Sequence, residues 1–150
     1  MKTVVVGVGN ELRGDDAVGL HVVRALGGLE ATVVECEGEP IGLIDSWAGH
    51  ERAILVDATE SGAEPGTVRR VPADEGPLPP ELQRSSTHLL GVAEAVELAR
   101  ALGRLPAHTI VYGIEGGRFD TGAPLSPEVE EMVEVVAAAI RREVEDGGPR

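Results

Sequence analysis

Apolar residues fall along this chain in two rhythms. Residues 2–8 (KTVVVGV) and 52–58 (RAILVDA) are unbroken apolar runs, the pattern of strands covered on both faces. Residues 31–37 (ATVVECE) and 66–71 (GTVRRV) are β-rich but more polar, and 108–116 (HTIVYGIEG) returns to the apolar type. Between these runs the period becomes helical. Val18, Val22, Ala25 and Leu26 recur at helix spacing until Gly27 and Gly28 stop them. In 42–49 (GLIDSWAG) a helical turn sets Leu43, Ile44 and Trp47 on one side. A Pro-rich loop over 72–84 leads into a helix over 85–103, capped by Ser86 or Thr87. The last helix starts at Ser126 with Pro127 in its first position, and presents Val129, Met132, Val133, Val136, Ile140 and Val144 on one face. The tail EDGGPR reads as frayed.

Strands alternating with helices predict an α/β three-layer sandwich. A five-stranded, mostly parallel mixed sheet is expected, with helices on both faces, in a single domain over residues 1–150. Only residues 58–65 separate the third and fourth strands. A parallel crossover needs about a dozen residues or more. The fourth strand is therefore expected to run antiparallel to the third.

Composition narrows the function classes. The net charge is −13, which argues against a nucleic-acid partner, because neutralising phosphates needs a basic face. The single cysteine, Cys36, permits no internal disulfide and no Cys-based structural zinc site. Lys2 is the only lysine, so a P-loop lysine is excluded. No apolar run approaches the ~20 residues that span a bilayer. The N-terminal run reads as a strand rather than a signal peptide. No membrane association and a cytoplasmic location are expected.

The segment GVGNELRGDDAVG, residues 7–19, carries the first chemical signal. A dinucleotide fingerprint needs a third glycine, and Leu12 stands there. Asp15 and Asp16 then open the helix, where they would repel a pyrophosphate. The turn presents carboxylates instead of receiving phosphate. One aspartate is accounted for as a helix cap; the second is surplus. Asp57 ends an apolar strand, and ligands in open α/β sheets bind outside the carboxyl ends of strands. If the first and third strands are parallel neighbours, Asp16 and Asp57 meet at one edge. His88 joins them if the 72–84 loop carries the chain back to that edge. His21, His50 and His108 have weaker claims. Two carboxylates and an imidazole suit either a metal with open positions or an acid–base pair. Neither H-E-x-x-H nor G-x-S-x-G is present.

These residues resemble a known family. GVGNELRGDDAVG, ILVDA, THLLG, and YGIEG with LSPEV downstream are similar, in order and spacing, to the hydrogenase maturation proteases. The first stretch fits G-x-G-N-x-L-x-x-D-[DE]-x-x-G, the specific motif. The resemblance implies an endopeptidase that removes the C-terminal extension of a nickel–iron hydrogenase large-subunit precursor after nickel insertion. It implies a metal-binding trio of Asp16, Asp57 and His88, which are also the candidates for catalysis. The nickel would be supplied by the substrate, with other divalent metals able to substitute in vitro. The turn glycines would admit a partner's backbone. After the second strand, where the family often carries D-G-G-T-x-G, this chain reads EGEPIG over residues 37–42. A reading from another class is a non-catalytic nickel-recognition or chaperone-like module acting on the same precursor.

Overall fold

The computed structural model describes residues 1–83 and 91–146. Five strands form one sheet: β1 (Thr3–Val8), β2 (Thr32–Cys36), β3 (Arg52–Thr59), β4 (Val68–Pro72) and β5 (His108–Glu115). Their order is β2-β1-β3-β5-β4. β1 is parallel to β2 and β3, and β3 to β5, as short strands joined by helical crossovers require. β4 alone is antiparallel. It runs opposite to β3 as expected, but its hydrogen-bonded neighbour is β5, which separates the two.

The central strands β1 and β3 are buried along their whole length. Alternate side chains enter two cores. Val4, Val6, Val8, Ala53 and Leu55 face one layer, with α2 (Pro40–Trp47) and α4 (Val92–Leu102). Val5, Ile54, Val56 and Ala58 face the other, with α1 (Val18–Arg24) and α5 (Pro127–Asp146). The expected face of α5 is the buried one: Val129, Val136 and Ile140 are core, and Met132, Val133 and Val144 pack against it. Between α5 and the sheet, buried Glu143 is ion-paired with Arg70 and accepts a hydrogen bond from the Tyr112 hydroxyl at 3.0 Å. Burial, then the Glu143 carboxylate, push the Tyr112 hydroxyl pKa up.

Two local expectations need correction. The loop over 72–84 contains a short helix, α3 (Pro80–Gln83). The helix expected from Ser86 or Thr87 has its N-cap at Gly91, whose backbone is extended and whose N–H donates to Glu94 Oε1 at 2.5 Å. Glu94 thus reaches back to the amide of the N-cap residue, whereas a serine or threonine cap would accept an amide of the first helical turn. Ser86, Thr87 and His88 lie outside the described residues.

α3 answers where the long loop goes. β4 ends with Pro72 opposite Ile110, towards the amino end of β5. By Leu82 the chain has climbed to Gly113: a Cβ there would lie 2.8 Å from Leu82 Cδ2. Gly113 is the register partner of Asp57. The loop has therefore brought the chain back towards the carboxyl edge.

Candidate metal and active site

The glycine turn is shaped by the chain's own packing. A Cβ on Gly7 would sit 2.5 Å from the Gly19 carbonyl oxygen, and one on Gly19 would sit 2.4 Å from that of Val56. These glycines let α1 lie directly on β1 and β3. A Cβ on Gly9 would fall 2.0 Å from the Asp16 carbonyl oxygen. The space expected to admit a partner's backbone is filled by the turn itself, and the glycines serve to fold it tightly over the strand end.

That tight turn continues into a 3₁₀ segment, Gly14–Ala17, which carries both aspartates, each fully buried. Neither caps its own helix. Asp15 reaches across the molecule instead. Its Oδ2 accepts from the Gly117 and Arg118 amides at 2.8 and 3.0 Å and from Ser126 Oγ at 2.6 Å. Its Oδ1 accepts at 2.7 Å from the amide of Ser126, the residue just before α5. Asp15 is a clasp between the first turn and the last loop, and Asp16 is the surplus carboxylate. Arg13 Nη1 stands 3.8 Å from Asp16 Oδ2.

Asp57 is buried on the β3 face that looks towards α2 and α4, in alternation with Ala53 and Leu55. Its Oδ1 accepts the Ala58 amide at 2.8 Å. Gly7 pairs with Val56, so Asp57 lies one residue further along β3, beside the start of the glycine turn. Asp16 and Asp57 thus share the carboxyl edge of the parallel sheet. The other histidines lie elsewhere. His21 is exposed on α1, His50 accompanies Ala48 and Thr32, and His108 starts β5 at the opposite edge. Among the described residues, no three His, Cys, Asp or Glu side chains cluster as metal ligands.

Sequence reasoning gave no role to Glu115. Buried at the carboxyl end of β5, it accepts from Thr59 Oγ1 at 2.8 Å, Ser61 Oγ at 2.7 Å, and the Ser61 and Gly62 amides at 2.8 and 3.1 Å. An acid at the end of an apolar strand was the available signal, the same one that marks Asp57. Its four donors make it the anchor of the loop after β3. Glu39, in the segment that departs from D-G-G-T-x-G, caps α2 by accepting the Ile41 and Gly42 amides at 3.0 and 2.8 Å.

The sequence model of the hydrogenase maturation protease family (HycI) matches residues 21–143. The chain belongs to the hydrogenase maturation protease family. The Hydrogenase 2 maturation protease of Escherichia coli K12 is 31% identical over 160 residues, covering 100% of this chain and 97% of that protein. The hydrogenase expression/formation protein HupD of Thiocapsa roseopersicina is 31% identical over 136 residues; the match takes in 87% of this chain but 62% of HupD. Among solved structures, the [NiFe] hydrogenase maturation protease HybD of Thermococcus kodakarensis superposes with a TM-score of 0.77 at 27% identity, over 97% of this chain and 100% of that one. The HybD maturating endopeptidase of E. coli gives 0.76 at 26% identity, over 99% and 94%. The family sheet, its mixed topology and its helical layers are those described above. No helix among the described residues is long and apolar enough to cross a membrane.

Proposed function

We propose that this protein is a cytoplasmic endopeptidase that removes the C-terminal extension of a nickel–iron hydrogenase large-subunit precursor once nickel is in place. The observation that carries the reading is the pair of buried carboxylates, Asp16 and Asp57, at the carboxyl edge of a maturation-protease fold. Carboxylate oxygens are common ligands of divalent metals. A divalent ion arriving with the substrate is a partner that suits both.

His88 is the third ligand in this reading. It stands three positions before Gly91 in the sequence, outside the described residues. On the other side, the chain leaves the described part at Gln83, next to Leu82 on Gly113. Gly113 is the register partner of Asp57, so the chain enters this stretch from the level of Asp57, which supports the reading. Asp16 and Asp57 would hold the substrate's nickel as anionic ligands and His88 as a neutral one, which fixes the adjoining peptide segment in place. A metal so held can polarise a carbonyl or activate water.

Purified protein incubated with nickel-loaded precursor is expected to shorten the large subunit by the mass of a C-terminal peptide. Stable complex formation without any change in mass would instead show a non-catalytic recognition module.

A further inference from the structure

Arg13 carries an inference that rests on the reading of Asp16 as a ligand. Its backbone is clamped on both sides of the turn. Its N–H donates to the Asn10 carbonyl at 3.2 Å, and its own carbonyl accepts the Asp16 N–H at 3.0 Å. Its guanidinium Nη1 lies 3.8 Å from Asp16 Oδ2. The two partners are unequal: the Asp16 side chain is 0% exposed, whereas that of Arg13 is 27% exposed. The carboxylate is sealed in the protein and the cation reaches it from the solvent side.

Two other buried acids near this edge are neutralised differently. Asp15 and Glu115 accept backbone amides and hydroxyls of neighbouring loops. Such donors are fixed in the fold and cannot withdraw. A guanidinium on a flexible stem can.

We propose that Arg13 is a place-holder cation for the substrate's metal. It neutralises Asp16 while the site awaits substrate, and it turns outwards when a divalent ion takes its place. The consequence is selectivity. A free ion must displace a resident charge, so the isolated protein binds metal weakly. An ion fixed in the precursor brings the precursor's own contacts to the exchange and displaces Arg13 more readily. Arg13 is a positioning residue here, acting on affinity through Asp16.

The test is a calorimetric titration of the isolated protein with cadmium and with nickel. Arg13→Gln is expected to bind about tenfold more tightly than the unmodified protein, because one like charge beside the ion is gone. Arg13→Lys, which keeps the charge, should return affinity towards the original value. Asp16→Asn should lose binding. If Arg13→Gln binds no more tightly while Asp16→Asn loses binding, the place-holder role is overturned and the ligand role of Asp16 stands. If Asp16→Asn binds as the unmodified protein does, both are overturned. A measurement on the unmodified protein avoids any folding defect of a variant. Its Arg13 Nε–Hε magnetic resonance signal should shift as cadmium is added, and a signal that stays put through saturation would overturn the proposal.

Discussion

Asp16→Asn and Asp57→Asn are each expected to lower precursor processing by more than about a hundredfold, with thermal stability unchanged or slightly raised. Loss of a residue that merely supports a metal ligand costs roughly 10–100-fold, and loss of a ligand itself should exceed that. The stability half has a separate origin. Both carboxylates are buried at one sheet edge, where like charges raise each other's cost. Asparagine keeps the shape and removes the charge. At position 57 its amide oxygen still accepts the Ala58 N–H. At position 16 it releases Arg13, whose partly exposed guanidinium can turn to water. Function and stability therefore part company. Residues serving only the fold would lose both together. Cleavage of precursor beside a thermal melt reads the two effects, and a normal cleavage rate in either variant would remove that residue from the site.

Asp15→Ala should do the reverse at the neighbouring position. Asp15 is the acceptor for three amides and a hydroxyl, and these tie residues 117, 118 and 126 to the first turn. Each buried donor left without an acceptor costs about 1–3 kcal/mol, less where water can enter. Since residues 117 and 118 are exposed and 126 is half-buried, the sum is discounted to about 3–5 kcal/mol, near the top of the range for single substitutions. In a 150-residue domain that corresponds to a drop of about 10 °C or more in Tm. An unchanged melt would mean that the clasp contributes nothing, and that the adjacent aspartates cannot be told apart by what they bond.

The strand framework was legible because β1, β3 and β5 are continuous apolar runs, and burial on both faces leaves such runs little other choice. The direction of β4 followed from the short connection before it. Its partner did not, because loop length constrains direction and leaves the choice of edge to the packing of the whole sheet. The start of α4 was misplaced for a chemical reason. Ser86 and Thr87 are strong caps by type, yet Glu94, three residues after Gly91, supplies the bond that sets the start.

At the site, two adjacent aspartates could be recognised as one too many, but not sorted. Asp15's partners lie more than a hundred residues away, so no local spacing reports them. The glycines were read as room for a partner, whereas three-dimensional contacts show Gly7, Gly9 and Gly19 consumed by backbone within the turn and under α1. Arg13 drew no notice because an arginine in a polar loop looks ordinary until its carboxylate partner is seen to be buried.

The most direct measurement is the mass of the large subunit after incubation with this protein, using precursor with and without nickel in parallel. Metal recognition through Asp16, Asp57 and His88 predicts a shortened subunit from the nickel-loaded precursor only. Equal shortening of the nickel-free precursor would contradict it.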